Sequence, residues 1–82
     1  TIDLQWNAQE KSIHVNGQLF PLDDADETIY VVELQNNTKT VQIVPTDNLG
    51  KFTFTLLAPG TYDIILSGEQ NEIAITGVEL RF

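Results

Sequence analysis

The chain has 82 residues, 12 of them acidic against 4 basic, for a formal charge of −8, and it contains no cysteine. That length suits one domain with one thin core, since a domain this small buries only roughly 60% of the surface its unfolded chain exposes. The acidity would repel a phosphate backbone rather than release its counterions, so nucleic acid and anionic membrane are poor partners. The missing cysteines exclude a disulfide framework and a thiolate metal site.

No apolar run approaches the ~20 residues that cross a bilayer, so direct membrane insertion is not expected. Nothing resembles a basic-then-apolar leader. The first residue is Thr1 and methionine is absent throughout. Residues 1–82 are therefore expected to be a single domain excised from a larger protein.

Along the chain the dominant period is two, the spacing of half-buried strands. Ile2, Leu4 and Trp6 alternate at the front and suggest a short strand. "SIHVNGQLF" puts Ile13, Val15 and Leu19 on one face and His14, Asn16 and Gln18 on the other. "PLDDADE", residues 21–27, is an acidic gap opened by a proline that no central strand would carry. Its Asp23, Asp24, Asp26 and Glu27 are a weak calcium candidate, because Ca²⁺ accepts loop carboxylates. The spacing lacks the Asp-x-Asp-x-Asp-Gly order of a dedicated loop, and a solvated acidic loop is the plainer reading.

In residues 28–35, Tyr30, Val32 and Leu34 share one face while Ile29 and Val31 occupy the opposite one. The outside of a sandwich should be wet, so Ile29 and Val31 call for a cover. The expected cover is the segment with Ile2, Leu4 and Trp6, which would bury Trp6; otherwise Ile29, Val31 and Trp6 are candidates for a partner interface. Asn36-Asn37 reads as a tight hairpin. "KTVQIV" alternates Val41 and Ile43, and "PTDNLG" is a turn in which Asp47 can accept from backbone amides and Gly50 can be left-handed. "KFTFTL" alternates Phe52, Phe54 and Leu56. In "APGT", Pro59 and Gly60 fit the central positions of a type II turn, with positive φ at Gly60. "TYDIILS" alternates Tyr62, Ile64 and Leu66; the tail gives Ile73 and Ile75, then Val78, Leu80 and Phe82. With no helical period anywhere, the fold class is all-β: a seven-stranded antiparallel β-sandwich, with the N-terminal segment as an extra strand.

Residues 46–62 read T-D-x-x-G-x-F-x-F-x-x-L-x-P-G-x-Y. The pattern resembles the carboxypeptidase regulatory-like (prealbumin-like) domains, although the Gly-Ala usual at the end of the preceding loop is missing. The resemblance implies a transthyretin-like, Ig-like sandwich in which Asp47, Gly50, Phe52, Phe54, Leu57, Pro59, Gly60 and Tyr62 are core and turn determinants rather than a site. Members of that family are accessory modules on peptidases, outer-membrane receptors, adhesins and membrane-tethered regulators. Fold alone does not choose among those roles.

Catalytic chemistry finds no support. His14 is the only histidine; a general base needs oriented partners, and zinc needs about four ligands. Ser12 and Ser67 have no Gly-x-Ser-x-Gly elbow around them. No catalytic residue and no cofactor is expected. The reading is a non-catalytic protein-interaction or spacer module of a larger extracytoplasmic bacterial protein. Two alternatives stand beside it: a carbohydrate-binding module using Trp6 as its platform, and the extracytoplasmic domain of an anti-sigma-type regulator.

Overall fold

Strict alternation of apolar and polar residues drives each segment into an extended conformation, because only a period of two puts every second side chain on one face. The computed structural model describes residues 2–9, 12–20, 29–69 and 71–81. They form β1 (Ile2–Gln9), β2 (Ser12–Leu19), β3 (Val31–Asn36), β4 (Lys39–Pro45), β5 (Lys51–Leu57), β6 (Gly60–Ser67) and β7 (Glu72–Leu80). One sheet has the order β1-β2-β5 and the other β4-β3-β6-β7. Every pairing is antiparallel. The N-terminal strand is thus one of the seven, and residues 72–80 make a single long strand.

Between the sheets lies a core that includes Ile13 and Val15 of β2, Val32 and Leu34 of β3, Phe54 and Leu57 of β5, Ile64 and Leu66 of β6 and Leu80 of β7. Ile2 and Leu4 pack against it from β1, and Ile73, Ile75 and Val78 from β7. Among the described residues, no buried side-chain nitrogen or oxygen lacks a hydrogen-bond partner. That is the condition under which an apolar core this small tolerates Tyr30, Thr46 and Tyr62.

Two bulges correct the simple alternation. In β5 the pairing to β2 slips between Ile13 and Val15, so three steps on β5 match two on β2. Leu56 absorbs the extra residue with φ of 58°. Leu56 therefore points outward, 75% exposed, while Leu57 turns inward at 2%. In β7 the same accommodation falls at Gly77, φ 71°, where the pairing to β6 shifts between Tyr62 and Ile64. It keeps Ile73 and Ile75 in phase with Val78 and Leu80 across an odd spacing.

Three further expectations are corrected. The β3–β4 hairpin turns at Asn37-Thr38 rather than Asn36-Asn37: both have positive φ, 50° and 65°, and Asn36 is the last residue of β3, opposite Lys39. Positive φ at both central residues is the type I′ loop whose twist suits a hairpin. Gly60 is outside the positive-φ residues and begins β6 opposite Leu80, so the Pro59-Gly60 corner is not a type II turn. The corner is braced instead by the Tyr62 hydroxyl, which donates to the Ala58 carbonyl at 2.6 Å. The third concerns the N-terminus: β1 pairs with β2 in the three-stranded sheet and cannot cover the outer face of β3. Trp6 is 47% exposed and Ile29 and Val31 are 56% and 49% exposed.

Gly50 does what its place in the turn requires. Its φ is 79°, and a Cβ added there would stand 2.3 Å from the Leu19 carbonyl oxygen. Gly60, by contrast, would bring a Cβ no nearer than 3.5 Å to the Asn36 amide nitrogen. Urea unfolding should accordingly show Gly50→Ala losing more than about 1 kcal/mol while Gly60→Ala stays within about 0.5 kcal/mol of the parent. Equal losses at the two positions would contradict this assignment of the turns. Thr38 is a β-branched residue in the left-handed region, so Thr38→Gly should stabilise the domain by about 1 kcal/mol in the same measurement.

Candidate functional site

The outer face of the four-stranded sheet is built by the residues that alternate with the core. On β3 these are Val31, Glu33 and Gln35; on β4, Thr40, Ile43 and Pro45. Register sets Val31 opposite Pro45 and Glu33 opposite Ile43, with Ile65 of β6 on the far side of Glu33. Val41 and Ile43 are 44% and 59% exposed. Ile43 lies outside, because Val44 and Gln42 are the residues of β4 facing Val32 and Leu34, whereas Val41 is the exposed extra residue where the register slips between Leu34 and Gln35. Val31 and Ile43 are diagonal neighbours on this face, with Pro45 opposite Val31, and exposed apolar residues set side by side mark interfaces more often than scattered single residues do.

Glu33 sits within this patch and is held in place. Its carboxylate accepts from the Thr40 hydroxyl and, at 3.1 Å, from the Gln35 amide. The Thr40 bond, followed by the Gln35 bond, holds its pKa below the ordinary carboxylate value. One fixed negative charge therefore stands among Val31, Ile43 and Ile65.

The outer face of the three-stranded sheet is different in kind. A shallow groove of about 320 Å³ is lined by Asp3, Gln5, Asn16, Gln18, Lys51 and Thr53 together with Gly17 and Phe52. The Thr53 hydroxyl donates to Asn16 Oδ1 at 2.9 Å. Trp6 stands opposite Val15 in the β1–β2 register, and Val15 is a core residue, so the indole is on the other side of this sheet. The proposed sugar platform and the polar groove are therefore not one surface. Nor do Trp6, Ile29 and Val31 form a single interface: Trp6 belongs to one sheet, while Ile29 and Val31 flank and enter the outer face of the other.

The residues considered for catalysis are dispersed. His14 is half-buried on β2, opposite Asn7 of β1. Ser12 begins the same strand opposite Gln9, and Ser67 ends β6 on the other sheet, opposite Val31. Among the described residues, no group of three or more His, Asp or Glu side chains is placed to hold a metal ion. Asp23, Asp24, Asp26 and Glu27 lie outside the described residues, and the calcium expectation with them.

The motif of residues 46–62 is resolved into structural roles. Thr46 is buried; its amide donates to the Tyr30 carbonyl at 2.8 Å, and its Oγ1 accepts from the Tyr30 amide at 2.9 Å. The Asp47 carboxylate accepts from the amides of Leu49 at 2.8 Å and Lys51 at 2.9 Å. Phe52 and Phe54 meet edge to face with centroids 5.8 Å apart. Leu57 and Tyr62 are core, and Pro59 is exposed at the corner. Sequence reasoning missed Gln42, whose amide donates to the Thr55 carbonyl at 2.6 Å and accepts from the Thr55 amide at 3.3 Å. Its only signal was a polar residue between Val41 and Ile43, indistinguishable from an outward one. No family model matches the chain, and neither a curated protein nor a solved structure matches it.

The backbone bond from Lys51 is the largest influence on Asp47 and lowers its pKa. A carboxyl whose pKa is lower folded than unfolded stabilises the fold above its unfolded pKa, and loses that contribution as pH falls through the folded value. Stability measured by urea unfolding from about pH 5 to about pH 2 should therefore decline less steeply in Asp47→Asn than in the parent. An identical slope would mean that the carboxylate bonds carry no weight in the folded loop.

Proposed function

We propose that the chain is a non-catalytic β-sandwich module of a larger extracytoplasmic protein, which holds a partner protein surface against the outer face of β3 and β4. One observation carries the reading: Val31 and Ile43 stay exposed on a sheet face that alternation would ordinarily leave polar, and no described strand covers them. The bonded Glu33 carboxylate within that patch adds a fixed polar contact, which favours one orientation of a partner over another.

Kinship with the carboxypeptidase regulatory-like domains, and a transthyretin-like path of the chain, are part of the same proposal. Their support is the span 46–62, in which Thr46, Asp47, Gly50, Phe52, Phe54, Leu57 and Tyr62 serve as turn and core residues around two packed antiparallel sheets. Those residues are occupied in holding the corner and the core together, so function falls to the surface they support.

A photoreactive amino acid placed at Ile43 in the native protein tests the interface. It should yield one reproducible protein adduct, with little from the same group placed at Thr53 on the opposite face. Adding Val31→Lys should cut that adduct by about tenfold, since a charge set into an apolar contact must be desolvated. Both changes lie at exposed positions and should leave unfolding within about 0.5 kcal/mol of the parent. Equal adducts from both faces, or adducts indifferent to Val31→Lys, would remove the basis for the reading.

A further inference from the structure

A sheet edge is a row of unpaired amides and carbonyls, and folded proteins ordinarily blunt it. Three of the four edges here are blunted. On β5 the Leu56 bulge breaks the line, and Gln42 occupies both the amide and the carbonyl of Thr55. On β4 the pairing to β3 slips between Leu34 and Gln35, and the strand ends on Pro45. On β7 the bulge at Gly77 is pinned by the Asp63 carboxylate, which accepts the Gly77 amide at 3.1 Å, and Glu72 and Glu79 add charge.

β1 has no bulge, no proline and no side-chain bond to its edge among the described residues. Its eight residues pair one to one with β2 from Ile2–Leu19 to Gln9–Ser12, without a slip. The strand contains no proline and no glycine, and Asp3 is its only charge. Trp6 stands at mid-strand, on the core-facing side of the sheet, yet is 47% exposed. No described strand lies beyond it.

We propose that the free edge of β1 pairs antiparallel with β1 of a second copy of this chain, joining the two three-stranded sheets into one of six strands. The sequence of β1 is self-complementary about a twofold axis at Gln5. Residue numbers of facing partners then sum to about 10, the antiparallel rule for an axis at that residue. Leu4 meets Trp6 of the partner subunit, Ile2 meets Ala8 of the partner subunit, and Asp3 meets Asn7 of the partner subunit. Gln5 meets its own symmetry mate. Every apolar residue faces an apolar one, every polar residue a polar one, and no like charges oppose each other. The half-exposed indole gains its missing cover from a leucine. A second copy supplies by itself the length and the alternation that this edge requires, eight residues with apolar and polar rows on matching faces.

The formal charge of −8 on each copy opposes association. The dimer should therefore tighten as salt screens that repulsion.

Sedimentation equilibrium of the whole chain, from about 10 μM to about 1 mM and at about 0.05 M and 0.5 M NaCl, reads this directly. The expected result is a monomer–dimer equilibrium, tighter at high salt, with the emission of the sole tryptophan moving to the blue over the same concentrations. Gln5→Lys should weaken the dimer by about fivefold, because it sets two like charges face to face on the axis. A purely general charge effect would tighten it, since that change lowers the net negative charge. Trp6→Lys should abolish dimerisation, and Ile43→Lys, on the other sheet, should not weaken it. Gln5 is exposed, so its variant keeps the test valid even if Trp6→Lys fails to fold. A chain that stays monomeric throughout, a dimer indifferent to Gln5→Lys, or one lost in Ile43→Lys would each overturn the proposal.

Discussion

Each strand must present one apolar row to the space between the two sheets, and in a chain without cysteine no disulfide can substitute for that row. The row is demanding because β geometry allows no remainder: a single extra residue between two core positions would send everything beyond it to the solvent face. Phe54 and Leu57 are three residues apart, and so are Ile75 and Val78, yet all four must point the same way along their strands. The chain answers with a bulge at each place. Gly77 takes the left-handed conformation without a side chain to strain, whereas Leu56 takes it as an exposed apolar residue. Packing of Leu57 against the core outweighs that local cost.

Polar bonds then fix the ends of each sheet and, at one place, join the two layers. At one end, Thr46 exchanges two hydrogen bonds with the Tyr30 backbone, and the Tyr30 hydroxyl reaches Asn71 at 2.7 Å. At the same end the Leu19 amide donates to the Gly50 carbonyl, tying β2 to the turn before β5. Along one side, Gln42 of β4 bonds the backbone of β5 across the gap between sheets. The opposite side has no described bond of this kind between β1 and β7. Among the described residues, the bond that joins the sheets lies on the side away from the unblunted edge of β1.

Much of this fold was legible because period-two alternation and turn chemistry are local signals. The core rows of β2, β3 and β6 follow directly from Ile13, Val15, Val32, Leu34, Ile64 and Leu66, and Asp47 and Gly50 mark their turn by residue type. What was not legible depends on partners distant in sequence. Leu56 and Leu57 are the same residue type, and only the pairing of β5 with β2 decides which turns inward. Gly60 follows a proline in a pattern that fits a type II turn, but pairing with Leu80 holds it extended. Ile2, Leu4 and Trp6 showed a strand but not its sheet, and with that the cover for Ile29 and Val31 was misassigned. The candidate surface itself was visible as an alternation with apolar residues on both faces of residues 29–34; its extension to Ile43 required the register of β4.

The two outer faces show how the same alternation separates scaffold from surface. On the three-stranded sheet it gives Gln5, Asn16, Gln18 and Thr53, a row that water satisfies at no cost. On the four-stranded sheet it gives Val31, Ile43 and Ile65 around a bonded glutamate, a row that water does not satisfy. The edge of β1 is a separate feature, since it belongs to the sheet whose outer face is polar. Pairing at that edge would extend one sheet without covering the apolar face of the other, and each dimer would then display that face twice. Two weak contacts held at a fixed separation bind a repetitive or paired partner far more tightly than either does alone, with no change in the contacts themselves. In that arrangement the unblunted edge supplies valence and the apolar face supplies recognition, two roles that a sandwich of this size can keep apart because they lie on different sheets.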